Sequence, residues 1–431
     1  MKHSIKTAKT AVLTMIKRLF MAGCFPFIFP VLCCIVLFPA CESPVISNTT
    51  PAPAVLIYMA ADNNLDYYAI ANIRQMEQGL SGCSESNIFV FIDRNSGGSP
   101  SHPYLLRLNK NTESSGITSP ILRVYPEQNT CNPDFLRKVI ADVKDYSRQR
   151  NAELRRLVLW SHGTGWLPEG TPFNEIDDEN EDINSKGQPP LFSFGLDNNG
   201  GIDGTSYQKE MEITDLASAL DGEHFDLLLL DACFMGTIEA AYEFRQACDY
   251  LIASPSEILS SGFPYIDIIN NLVCDIVDPL EVAEKIFNYY NNQKGIMQSA
   301  AISIIDTRYL TKLALEMELV YMDYLSCRDS LPISSFLQYD RTGSNYFFDF
   351  KNFIFSLSEQ TKKDYSGILN CYQDTLPYYM HTVKMFNTLD LTGTEGLSIY
   401  IPNTFLTRSE LHAYYKSLSW AQDSHAGILF D

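Results

Sequence analysis

Two short apolar runs, 55–61 and 87–93, flank a stretch, 65–80, in which Ile70, Ile73, Met76 and Leu80 recur at helical spacing. The switch of period from two to about 3.6 and back predicts a strand, helix, strand unit. A second helix is expected after Asn132 and Pro133, with Leu136, Val139, Ile140 and Val143 on one face. It leads into a strand at 157–160 that stops at Ser161, His162, Gly163, Thr164 and Gly165. Residues 213–220 read as a short helix, 225–230 as a nearly all-leucine strand ending at Asp231, Ala232 and Cys233, and 236–246 as the helix that follows. Further β runs at 250–253 and 300–305 complete an alternating pattern. An α/β sandwich is expected, with a mostly parallel central sheet covered by helices on both faces. From 311 onward helices dominate, with Leu313, Met317, Val320 and Tyr324 on one face, until 396–401 returns to a strand pattern. The division this suggests is an α/β domain over 54–310 and a smaller, mainly helical unit over 311–431.

The first 41 residues differ from the rest. They carry Lys2, Lys6, Lys9, Lys17 and Arg18, no acid, and an uncharged stretch over 20–40 that ends at Pro39, Ala40 and Cys41. A basic start before an apolar run reads as a targeting segment. It resembles a bacterial lipoprotein signal with Cys41 as the lipidated residue, although Pro39 stands where a small residue is usual, so an uncleaved membrane anchor stays open. Either reading places the chain at the cell envelope, facing the periplasm or the exterior. Residues 42–53, with Pro44, Pro51 and Pro53, have too little apolar surface to pack and read as a tether.

Without residues 1–41 the chain keeps 27 basic against 52 acidic side chains, a net charge of −25. Nucleic acid is thereby excluded as an expected partner. Of the 11 cysteines, Cys83, Cys131, Cys233, Cys248, Cys274, Cys327 and Cys371 lie beyond the leader, an odd number with no CxxC pair. An odd cysteine in an oxidising compartment is a candidate reactive thiol.

In a parallel sheet, functional groups gather at the carboxyl ends of the strands. His162 follows one buried strand directly, and Cys233 follows another just before a helix whose N-terminal field would lower a thiol pKa. Taken singly, each has a bland reading, a satisfied loop histidine or a packed thiol. If the two strands are neighbours, both ends emerge at one edge, and a thiol nucleophile and a general acid share a cleft. The N–H groups of Gly163 and Cys233 are then placed for a developing oxyanion. Asp231, two residues before Cys233, either presents a carboxylate to a cationic substrate side chain or caps the strand end. No GxSxG elbow, HExxH, P-loop or GxGxxG occurs, no metal ligand set stands out, and 197–203 only partly imitates a calcium loop.

Four stretches in order, 55–65, 159–166, 228–236 and 396–402, resemble the motifs of the clostripain family of cysteine peptidases. The resemblance covers most of the chain after residue 54 and implies a caspase-like fold, protein or peptide substrates and no cofactor, with calcium dependence known in the family. It implies that His162 and Cys233 are the catalytic pair and that Asp231 belongs to a pocket for Arg or Lys. A second pocket acid is missing from 253–265, so that either Glu257 compensates or specificity differs. Activation by cleavage between the histidine and cysteine motifs, also implied, points to Lys186, the lone basic residue of an acidic loop. The alternative from another class is a surface-exposed binding lipoprotein that keeps this scaffold without activity.

Overall fold

In the computed structural model the described residues are 50–81, 86–95, 102–112, 116–171, 194–198, 209–402 and 409–430; Cys41 and Lys186 lie outside them. The strands are β1 (Ala52–Ala61), β2 (Ile88–Arg94), β3 (Tyr104–Arg107), β4 (Ile121–Val124), β5 (Ala152–Trp160), β6 (Phe194–Asp197), β7 (Lys209–Met211), β8 (Phe225–Asp231), β9 (Cys248–Ala253), β10 (Ala301–Asp306), β11 (Phe348–Asp349), β12 (Tyr378–His381), β13 (Lys384–Met385), β14 (Leu389–Asp390) and β15 (Ser398–Ile399). Nine of them form one sheet in the order β12-β10-β9-β8-β5-β1-β2-β3-β4.

The centre of the sheet, β9-β8-β5-β1-β2, is parallel throughout. Residues 54–61 of β1 and 227–230 of β8 are completely buried or nearly so, as expected of strands covered on both faces. The edges depart from the parallel pattern. β2 pairs antiparallel with β3, and β3 with β4; the stretch 95–103 between β2 and β3 is too short for a parallel crossover. At the other edge β10 is antiparallel to β9 and to β12.

Helix α1 (Asp66–Gly79) links β1 to β2, and Ala69, Ile73 and Met76 form its buried face. Helix α2 (Pro133–Arg148) begins where the sequence predicts. Asn132 accepts hydrogen bonds from the N–H groups of Asp134 and Phe135, Pro133 fills the first turn, and Leu136, Val139, Ile140 and Val143 face the core. A cap of this kind contributes about 1 kcal/mol.

Residues 51–431 form one compact unit. The part after 310 is woven into the sheet, because β12 is its edge strand. The 396–401 motif supplies β15, which pairs with β11. It also braces the loop after β8. The Ser398 N–H donates to the Gly236 carbonyl, and the Tyr400 N–H donates to the carboxylate of Glu239, a fully buried residue.

Candidate active site

Strands β5 and β8 are parallel neighbours in strict register from Arg156 opposite Leu227 to Trp160 opposite Asp231. Each chain then runs two residues past that last pair, to His162 and to Cys233. Equal overhang on adjacent parallel strands delivers both side chains to one edge of the sheet, where they line a single cavity of about 70 Å³. Trp160, Asp231, Glu257, Leu259 and Arg341 also line it.

The glycines of the histidine loop serve the neighbouring loop. A Cβ on Gly163 would lie 2.7 Å from the Cys233 carbonyl oxygen and 3.3 Å from its nitrogen, so only a bare backbone fits against that peptide. Gly165, at φ +64°, packs in the same way on the Phe234 carbonyl. Both glycines thus have a packing role. Phe234 itself has φ +58°, a costly conformation for a bulky residue. It is held by its N–H bond to the Ser256 carbonyl and by stacking on Phe347, ring centroids 4.5 Å apart. Among the described residues neither the Gly163 nor the Cys233 N–H donates a hydrogen bond, and their peptides lie side by side, as an oxyanion hole requires.

The helix after Cys233 begins later than the sequence suggests. It spans Ile238–Glu243, with Thr237 as its N-cap, and the tight turn through Phe234 separates it from the thiol. The expected lowering of the thiol pKa by a helix terminus is therefore absent. Burial pushes the Cys233 thiol up to about 12 against one hydrogen bond from the Ile258 N–H at 3.2 Å, with the Glu257 charge adding to the rise. Burial likewise pushes His162 down to about 4. Burial thus favours the uncharged form of both groups.

Asp231 is buried, and its Oδ2 accepts from the Phe263 N–H and the Tyr265 hydroxyl, both at 2.9 Å. Both bonds fall on one oxygen, and among the described residues none falls on Oδ1. Burial pushes the carboxyl up to about 7 despite those two donors. The cavity wall beside it is fixed by Asn72, which accepts from the Trp160 indole N–H and donates to the Ser261 carbonyl, each at 2.9 Å.

Glu257 reaches the same cavity, but both of its oxygens are held by Arg341, at 2.6 and 2.9 Å, and that guanidinium lies 4.1 Å from the Phe386 ring centroid. The acid expected to meet substrate already has a cation from its own chain. Three residues of the site escape sequence reasoning: Arg341, Phe386 and Asn64. The Asn64 Oδ1 lies 2.7 Å from His162 Nε2. The signals for Asn64 are its place in the 55–65 motif and its position just past the end of β1, a strand adjacent to β5.

A separate cluster lies at the ends of β1, β2 and β6. Buried Asp62, Asp93 and Asp197 bring carboxylate oxygens within 4.8 Å of one another, and the Thr130 hydroxyl donates to Asp93 at 2.9 Å and reaches Asp197 at 3.2 Å. Oxygen donors of this kind suit calcium, which takes six to eight. A proton serves as well, since burial and the charges of Asp197, Glu127 and Asp62 push Asp93 up to about 9. The native state then binds a proton that the unfolded chain releases near pH 4, so stability falls as pH rises from about 4 to about 9. Asp93→Asn, which mimics the protonated acid, is expected to match the wild-type Tm below about pH 4 and exceed it at pH 8.5, with EDTA changing neither. A Tm lowered by EDTA in wild type would identify a bound cation instead.

Residues 57–182 and 198–427 match the family described as the clostripain family. Clostripain of Hathewaya histolytica is 27% identical over 242 residues, which are 51% of this chain and 41% of that protein, so the match spans less than half of that relative. The structure is similar to an inactive zymogen C11 protease from Parabacteroides distasonis, with 30% identity, TM-score 0.67, and coverage of 87% of this chain and 99% of that one. A secreted C11 cysteine protease from Bacteroides thetaiotaomicron, in complex with an irreversible peptide inhibitor, shares the fold at 24% identity and TM-score 0.67, over 86% of this chain and 98% of that one.

Proposed function

We propose that this chain, which belongs to the clostripain family, is a cysteine endopeptidase using Cys233 as nucleophile and His162 as general acid and base. The observation that carries this is the equal overhang of the two residues beyond the Trp160–Asp231 pair, which places them in one cavity. As the Cys233 sulfur bonds to the scissile carbonyl carbon, its proton passes to the imidazole, and the Gly163 and Cys233 N–H groups receive the oxyanion. When the C–N bond breaks, His162 returns the proton to the leaving amine. Water then attacks the thioester, with His162 taking its proton, and releases the acid product and the thiol.

Asp231 supports a preference for Arg or Lys before the scissile bond, through the oxygen left without a partner. Glu257 contributes less, because Arg341 neutralises it. A panel of fluorogenic peptides with Arg, Lys, Asn, Asp or Leu before the reporter, run beside Cys233→Ala, tests the reading. Turnover of the Arg or Lys peptide by wild type alone is the expected result. Turnover of none, by the intact chain and by the chain cut after Lys186, would leave the binding lipoprotein as the function.

A cavity of about 70 Å³ is small beside ordinary ligand pockets of about 300–1,000 Å³. That small volume and the upward push of burial on the Cys233 thiol support a latent precursor, activated by cleavage after Lys186, and the basic, then apolar leader supports a tether through a lipid on Cys41. Intact-mass and N-terminal analysis of membrane-fraction protein checks both. Wild type is expected to begin at a modified Cys41 and to be cut after Lys186, and Cys233→Ala to be anchored but uncut. Identical intact chains in both proteins would remove self-processing, and an unmodified Cys41 would remove the anchor.

A further inference from the structure

Adjacent asparagines at the end of β1 have opposite surroundings. Asn63 is buried and staples the loop. Its Nδ2 donates to the carbonyls of Ala60 at 3.1 Å and Leu196 at 2.9 Å, and its Oδ1 accepts from the Leu65 N–H at 2.9 Å. Asn64 is exposed, and nothing in the loop's own hydrogen bonding requires its side chain. Its amide oxygen nevertheless meets His162 Nε2 at 2.7 Å, across from the next strand of the sheet. An exposed amide loses little by facing water, so this placement asks for a reason other than folding.

We infer that Asn64 is a positioning residue for the dyad, with its amide oxygen fixing the orientation and tautomer of His162. The inference rests on the peptidase reading above. An amide oxygen only accepts, so the nitrogen facing it carries the proton, and Nδ1 is left with the lone pair that receives the Cys233 proton. Once that proton arrives, both ring nitrogens are donors, and the Asn64 oxygen is already in place for the Nε2–H. Without it the ring loses the acceptor that holds the proton on Nε2. A misdirected catalytic group costs on the order of 10–100-fold in rate. Asn64 needs no contact with substrate for this role, so its loss should appear in kcat and leave KM nearly unchanged.

The experiment compares full-length wild type, Asn64→Ala and Asn64→Asp on the best Arg or Lys peptide, recording kcat, KM, Tm and the pH dependence of kcat/KM. Asn64→Ala is expected to lose about 10–100-fold in kcat at unchanged Tm. Asn64→Asp keeps the accepting oxygen and adds a charge that favours imidazolium. It should recover most of the rate and, on a peptide with a neutral residue before the scissile bond, where Asp231 adds no limb, move the acidic limb up by about one pH unit. An active wild type matched by Asn64→Ala in kcat and in pH profile would overturn this inference and leave the peptidase reading standing. A wild type that cleaves no peptide, either intact or after being cut at Lys186, would overturn both.

Discussion

Cys233→Ala is expected to abolish peptide cleavage, with a loss of at least about 10⁴-fold in kcat/KM, and His162→Ala to fall to nearly the same level. Members of a nucleophile–base unit act together, so removing either one forfeits most of what both supply. The Cys233 side chain is partly buried at the end of β8 and makes one close hydrogen bond, with Ile258, so neither substitution should cost much stability. The resting site adds a second expectation, on reactivity. A thiol held at about 12 is ionised in about one molecule in 10⁵ at pH 7, against a few per cent for an ordinary cysteine. Iodoacetamide should therefore label Cys233 on the order of 10³-fold more slowly than a free thiol at pH 7, with the rate climbing steadily toward pH 12. Opening of the cavity by processing would hydrate the thiol, lower its pKa and accelerate labelling. Rapid labelling of the intact chain at pH 7 would show that the dyad rests as an ion pair and that the site is not latent.

The features legible in the sequence are those set by neighbouring residues. Apolar runs marked β1, β5 and β8, and the Asn132–Pro133 cap marked the start of α2, because burial on both faces and capping are local demands. His162 and Cys233 were readable for the same reason, since each follows its strand by a fixed number of residues, and strand register carries that number into space. Arg341 and Phe386 were not readable. They arrive from loops far along the chain, and no periodicity in those loops records which acid or ring they will meet. The helix read over 236–246 starts only at Ile238, because Gly236 is held on the Ser254–Pro255 backbone, where a Cβ would stand 2.6 Å from the Pro255 nitrogen. Long-range packing overrode local preference there and removed the helix field from the thiol. The 396–401 motif was visible as a strand, but its work as a brace behind the Cys233 loop emerges only from the bonds it makes to Gly236 and Glu239.

Asp231→Asn is expected to lower kcat/KM for Arg and Lys peptides by roughly 10²–10³-fold while changing a peptide with a neutral residue at that position little. This is the scale of removing one partner from a buried ion pair, about 3–5 kcal/mol. Asparagine keeps an oxygen to accept from the Phe263 N–H and the Tyr265 hydroxyl, so the cavity wall should survive the change. The pH dependence separates this electrostatic role from a structural one. In the empty cavity burial holds the Asp231 carboxyl at about 7, so a cationic side chain entering at lower pH must first drive off a proton. For wild type, kcat/KM on a Lys peptide should therefore fall about tenfold per unit as pH drops below 7, as one proton is taken up by the free enzyme. The neutral peptide should show no such limb, and neither peptide should show it with Asp231→Asn. A residue that merely shaped the cavity would alter both peptides alike at every pH. With Glu257 tied to Arg341, the proposed preference for a cationic side chain rests almost wholly on Asp231. If the Asn variant still favours Lys over a neutral residue, the selectivity must come from outside this cavity, and the preference for Arg or Lys loses its structural support.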